Sequence, residues 1–183
     1  METPLPLPAE EVVEPAAPVL DQQLLDLYLH KLSMEQHLIK GLAAGLLAAA
    51  VGGVAWAAVT VATGYQIGYM AVAVGFLVGY AIRTMGQGID KVFGVLGAVL
   101  ALFGCVLGNF LSTTGFIAQE LNMGYVETLL ALDYSLLPEI MAETFSPMDA
   151  LFYGIALYQG YKLSFRQISQ EELLANASAP VSA

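Results

Sequence analysis

Residues 64–112, GYQIGYMAVAVGFLVGYAIRTMGQGIDKVFGVLGAVLALFGCVLGNFLS, constrain the fold more than any other stretch of the chain. Two apolar runs flank a short polar turn, RTMGQGIDK, at 83–91. Each run is long enough to cross a hydrocarbon core of about 30 Å, which takes about 20 helical residues. The glycines within them are ordered. The first arm carries Gly68, Gly75 and Gly79, the second Gly97, Gly104 and Gly108, and both read Gly-x6-Gly-x3-Gly. At about 100° per residue, steps of seven and four stay on one helix face. Each arm therefore presents a flat stripe that lets another backbone approach closely. Helices in lipid associate through such packing, because no water is present to drive them together. The spacing predicts a transmembrane helical hairpin.

The rest of the composition agrees with that class. Hydrophobic residues make up 57% of the 183 and charged residues 12%, against about 25% charged in soluble domains. Mean hydropathy is +0.68. A net charge of −10 with six Lys and Arg argues against a nucleic-acid partner, which calls for clustered basic side chains. One cysteine, Cys105, leaves no pair for a disulfide within the chain.

In chain order, residues 1–19 are rich in Pro, Glu and Ala and read as a disordered acidic tail. The same stretch lacks the basic and apolar regions of a signal peptide. Residues 20–38 read as an amphipathic helix before the membrane, with Leu20, Leu24, Leu27 and Tyr28 on one side. His30 and His37 lie two turns apart on it, about 10 Å, too far to ligate one ion. Residues 39–62 form a first span, whose Gly41, Gly45 and Gly52 repeat the glycine arrangement in reverse order. Trp56 falls near its far end, where an interfacial aromatic is expected. The second and third spans are placed at 65–83 and 92–112.

Residues 113–146 carry Glu120, Glu127, Asp133, Glu139 and Glu143 and no Lys or Arg. Short apolar patterns broken by Gly115, Gly124 and Pro138 predict a helical cap outside the bundle. Ser146-Pro147-Met148-Asp149 is a helix start, with a capping serine, proline at the first position and an acid facing the positive end of the dipole. A fourth span follows at 147–165, and 167–183 read as a disordered C-terminal tail. With the N-terminus in the cytoplasm and four spans, Lys31, Lys40, Arg83, Lys91, Lys162 and Arg166 all fall inside and the long outer segment has none. That split obeys the positive-inside rule and places both termini inside. Three spans, with 147–165 as an outer helix, leave Lys162 and Arg166 on the wrong side.

No residue set here resembles catalytic machinery. There is no His-Glu-x-x-His, no Gly-x-Ser-x-Gly and no phosphate-binding Gly-Lys-Ser/Thr, and no cofactor is implied. Arg83, Asp90 and Asp149 lie at span ends, not at mid-membrane where coupled carriers hold charge. A channel or small-solute path has candidate lining in Gln66, Asn109, Tyr153, Tyr158 and Gln159, with outer carboxylates to attract cations. The other class is a structural, scaffold or auxiliary membrane protein that packs against itself or another membrane protein, with the lipid bilayer as its surroundings.

GYQIGYMAVAVGFLVGYAIR, FGVLGAVLALFGCVLGN and PMDALFYGIALYQGYKLSFR together resemble a set of small, uncharacterised bacterial integral membrane proteins. The resemblance covers about 64–112 and 147–166. It implies a bacterial inner-membrane protein and supplies neither an activity nor site residues. The expected fold is all-α: four transmembrane helices over 39–166, an amphipathic helix before them and a short outer helical cap.

Overall fold

The computed structural model describes residues 20–177. These are all-helical, with α1 (Gln22–Met34), α2 (Leu38–Thr63), α3 (Tyr69–Gly86), α4 (Lys91–Leu121), α5 (Tyr125–Ala131), α6 (Leu137–Thr144), α7 (Pro147–Leu163) and α8 (Gln170–Ala177). A single 3-10 turn, Tyr134–Leu136, precedes α6. The described residues divide into two compact units: Lys31–Gln167, and residues 20–30 with 168–177.

In the larger unit the α3–α4 hairpin is central. α2 packs on both of its arms, and so does α7. α2 and α7 therefore lie on opposite sides of the hairpin, and they meet through the rings of Trp56 and Tyr153. Trp56, Val74, Val78, Ile82, Phe93 and Leu100 fill the interior, with small residues such as Ala49, Ala71 and Ala101 between them. The outward faces are apolar as well, with Leu47, Val51, Phe76, Val99, Phe103 and Leu151 exposed.

Three helices, α2, α3 and α4, are long and apolar enough to cross a membrane. α3 begins at Tyr69, later than the pattern predicts, because residues 64–68 form the connection after α2. α4 runs on to Leu121 and absorbs the first part of the expected cap. Within the extension Ser112 and Thr114 turn their hydroxyls back to the carbonyls of Gly108 and Phe110, at 2.7 and 3.0 Å, so these polar groups are satisfied inside the helix. α7 has 17 residues, about 25 Å at 1.5 Å per residue.

Helix ends follow local chemistry. α2 stops at Gly64, whose φ of +72° is the left-handed conformation that glycine adopts without strain, and whose N–H donates to the Thr60 carbonyl. Gln87 and Asn122 close α3 and α4 in the same conformation. α7 starts as its sequence predicts. The Asp149 N–H donates to Ser146 Oγ at 3.3 Å, the Ser146 N–H donates to Asp149 Oδ2 at 2.8 Å, and Pro147 takes the first helical position. Removing the capping hydroxyl with Ser146→Ala is expected to cost about 1 kcal/mol. Thermal unfolding in detergent measures it, and a midpoint equal to wild type would show that the box does not hold α7.

Two expectations change. Trp56, expected as an interfacial aromatic, is fully buried among the helices. Its ring lies against Gly108, where a side chain would fill the space it occupies. The composition predicts a disordered tail over 167–183, yet α8 occupies Gln170–Ala177, its first turn capped by Ser169 Oγ accepting from the Glu172 N–H at 3.1 Å. In the smaller unit the Tyr28 hydroxyl donates to Glu172 at 2.5 Å and the Asp21 N–H to the Ala177 carbonyl at 2.8 Å. Of the residues that the spacing places on one side, Leu20 and Leu27 are exposed, whereas Leu24 and Tyr28 are half-buried. Residues 1–19 lie outside the described residues.

Candidate functional site

The glycines come first, because they set how closely the helices approach. Gly68, Gly75 and Gly79 all face α7. A Cβ at Gly68 would strike the Phe152 ring, at Gly75 it would lie 2.5 Å from the Ala156 carbonyl oxygen, and at Gly79 it would lie 2.7 Å from Leu163 Cβ. The α4 glycines divide between partners. Gly97 meets Gly160 of α7 and Ser164 just after it, Gly104 meets Val74 of α3 and the Ala49 carbonyl of α2, and Gly108 meets Trp56. On α2, Gly41 touches Gly86 and Phe93, Gly45 touches Ile82 and Leu100, and Gly52 touches Val74. Gly53 and Gly160 join these contacts without being marked by the spacing: Gly53 lies on the backbone of Gly104 and Gly108, Gly160 on Gly97.

Enclosed by these contacts is a polar cluster in an otherwise apolar core. Asn109 and Tyr153, two of the five candidate lining residues, meet in it. The Tyr153 hydroxyl donates to the Cys105 carbonyl at 3.3 Å. The Asn109 amide faces that hydroxyl, but its Nδ2 makes no hydrogen bond of proper geometry. The Tyr153 ring meets Trp56 edge-on at 6.3 Å and Phe145 at 5.6 Å. One turn from Trp56 on α2 lies Thr60, also fully buried. Trp56 Nε1, Thr60 Oγ1 and Asn109 Nδ2 are all buried without a partner. Two of these are donors and the third can donate. Each such group costs about 1–3 kcal/mol when left dry.

Asp149 is the nearest carboxylate. It is buried, tied into the α7 cap, and one turn from Tyr153. It also lines a cleft of about 180 Å³ with Gln66, Gly68, Ser146, Met148 and Phe152. Gln66 and Asp149 thus share a cleft, and Tyr153 follows Asp149 by one helical turn. Tyr153 itself belongs to the buried core with Val74, Val78, Ile82, Phe93 and Leu100. The other two lining candidates lie elsewhere. Tyr158 is exposed, with Lys162 Nζ 5.5 Å from its ring centre, and Gln159 is half-buried where its carbonyl approaches Gly79. Trp56 and Thr60 carry no motif, and Asp149 is marked in the sequence only as part of the α7 helix start. Trp56 and Thr60, an i, i+4 pair of polar-tipped residues in an apolar span, were the available signal.

Outside this core, the Ser135 hydroxyl and backbone N–H, at 2.7 and 3.0 Å, hold the Asp133 carboxyl below the usual carboxylate range. Burial pushes the Tyr125 phenol up, and its hydroxyl donates to the Leu111 carbonyl at 3.0 Å. Among the described residues no three His, Cys, Asp or Glu side chains gather as a metal site.

The opposite end of the bundle is basic. The turn between α3 and α4 is held there by the His37 N–H on the Gly86 carbonyl and the Arg166 N–H on the Gly88 carbonyl, both 2.8 Å. Gln36 accepts from the N–H groups of Ile89 and Asp90 and donates to Asp90 Oδ2. These bonds gather the start of α2, the turn and the end of α7, and with them Lys40, Arg83, Lys91, Lys162 and Arg166. No protein-family model matches the chain, and no curated protein or solved structure matches it.

Proposed function

We propose that the chain is an integral membrane protein with four spans, α2, α3, α4 and α7, and a structural, scaffold or auxiliary-subunit role without enzymatic activity. The observation that carries this reading is the packed interior: Trp56, Val74, Val78, Ile82, Phe93, Leu100 and Tyr153 form one buried cluster between the helices. A single copy with that core holds its own helices together and conducts nothing. Its glycine stripes are occupied within the chain, so a second copy or another membrane protein docks on the exposed apolar faces instead. α7 is short for a span, but Lys162 at its end reaches the headgroup level by extending its stem. The gathering of basic residues at one bundle end supports N-in and C-in orientation, with α5 and α6 outside. The resemblance to bacterial proteins supports an inner-membrane location.

Liposomes containing the purified protein are expected to pass neither cations nor small dyes above the protein-free rate. Robust flux that falls when Asp149 and the outer glutamates are neutralised would replace this reading with an oligomeric small-solute or cation channel. A reporter fused at Gly124 is expected to be inactive in the cytoplasm, and cytoplasmic activity there would overturn the orientation. The native mass in lipid discs, with identification of co-purifying protein, then separates a self-assembling scaffold from an auxiliary subunit.

A further inference from the structure

The basic end of the bundle holds a second built feature. A cleft of about 280 Å³ is lined by Arg83, Thr84, Gln87, Arg166 and Gln167, all polar, with two guanidinium groups among them. The two arginines come from elements distant in sequence, and each is anchored. Arg83 sits on the last turn of α3 with its guanidinium 5.7 Å from the Tyr80 ring centre. Arg166 is fixed by its backbone bond to Gly88 and oriented by Glu35 at 3.6 Å. A guanidinium carries five N–H donors in a fork that matches phosphate oxygens, so the pair with Glu35 and a phosphate contact are compatible.

A groove of about 640 Å³ between α2 and α3 adjoins this cleft. Leu47, Val51, Leu77, Ala81 and Met85 line it, and it closes on Lys40 and Thr84. Thr84 belongs to both the groove and the cleft. Its hydroxyl is turned back to the Tyr80 and Ala81 carbonyls at 3.0 Å, so its polar side is satisfied at the junction. From Lys40 to Val51 the groove follows α2 for about 16 Å, close to the depth of one leaflet, about 15 Å. A cationic cleft continuous with an apolar groove one leaflet deep matches an amphiphile with a negative head.

We propose that this end of the bundle binds one anionic phospholipid, with its phosphate between Arg83 and Arg166 and one acyl chain in the α2–α3 groove. Charge complementarity selects the headgroup: Arg83, Arg166 and Lys40 face it, and the Glu35 carboxylate pairs with Arg166 alongside. The groove selects a lipid over a free phosphate. The inference rests on membrane insertion as read above.

Native mass spectrometry of delipidated protein in mild detergent tests it, titrated with phosphatidylglycerol, phosphatidylcholine or inorganic phosphate. Phosphatidylglycerol is expected to bind in 1:1 stoichiometry and in preference to phosphatidylcholine. Loss of about fivefold in retention is expected for each of Arg83→Gln and Arg166→Gln. Ala81→Trp, which fills the groove and leaves the charges intact, is expected to lower retention as well. Equal retention of the two lipids by the wild-type protein would overturn the proposal, as would displacement of the lipid by inorganic phosphate or full retention by the doubly substituted protein. A chain that fails to partition into bilayers would instead overturn the membrane reading, whereas an embedded chain with no headgroup preference overturns the lipid site alone.

Discussion

Leucine in place of Gly97 is expected to release α7 from the bundle. Gly97 and Gly160 form a reciprocal contact in which two backbones touch. A Cβ on Gly160 would lie 2.5 Å from the Gly97 carbonyl oxygen, and one on Gly97 would strike the Gly160 carbonyl and Ser164 Oγ. One hairpin arm over, Gly75 meets the Ala156 backbone in the same way. Ordinary overpacking costs about 1–3 kcal/mol because side chains can shift. Here the obstacle is backbone, which cannot rotate away, so Gly97→Leu or Gly75→Leu is expected to reach or exceed the upper end. A loss of about 3 kcal/mol corresponds to a drop of roughly 6–12 °C in melting temperature for a chain of this size.

Cys105 reports the event directly. Its thiol is buried, and Tyr153 of α7 covers its carbonyl. Alkylation of Cys105 is therefore slow while α7 is docked and fast once it leaves. Gly154 provides the control, since it lies on the outer face of the same helix and a Cβ added there would meet nothing within 4 Å. Gly154→Leu is expected to stay within about 0.5 kcal/mol of wild type. If the Gly97 and Gly154 variants melt alike and label alike, close backbone contact does not hold α7.

The second large effect is expected at Trp56. It is fully buried, packed on Gly108 and in edge contact with Tyr153. It also joins α2 to α7 across the hairpin. Trp56→Ala removes that bridge and leaves a cavity that neighbouring glycines cannot fill, at about 3–5 kcal/mol. Dispersion contacts account for much of this, because lipid supplies no hydrophobic drive between helices. Trp56→Phe keeps most of the ring and deletes the unpartnered N–H, so its cost is expected to stay below about 1.5 kcal/mol. Denaturation in mixed micelles measures both. A large loss for phenylalanine would show that the indole N–H makes a bond in the native protein. As the one tryptophan in the chain, Trp56 also gives the wild-type protein a fluorescence signal, expected to be shifted to short wavelength and shielded from iodide.

The helices of the hairpin were legible because length and apolarity are local properties. So was the start of α7, where Ser146, Pro147 and Asp149 lie within four residues and satisfy each other. The ends were harder to read. α4 passes its expected limit near 112 through Ser112 and Thr114, polar in composition, whose hydroxyls bond back to their own helix. α8 was hidden in an acidic, small-residue stretch whose cap and contact to Tyr28 do not show in composition. Of the candidate lining residues, Asn109 and Tyr153 are 44 positions apart in the numbering, and no spacing rule relates them. Tyr158, five residues after Tyr153, has the same chemistry and faces outward.

By itself the sequence determined the helical class, the turns between the helices and the faces on which glycine gathers; it pointed to four spans, and three helices are long and apolar enough to cross a membrane. These follow from free energies between neighbours in the chain: apolar run length, 3.6-residue periodicity and capping. Only the tertiary structure decided which helix each glycine face meets. The α3 stripe is given wholly to α7, while the α4 stripe is divided among α7, α3 and α2. It also decided that Trp56 turns inward and that Arg83 and Arg166 share one cleft. Each of these depends on how a helix is rotated about its own axis against partners far away in sequence. Periodicity leaves that angle open, and it is settled when all four helices pack at once.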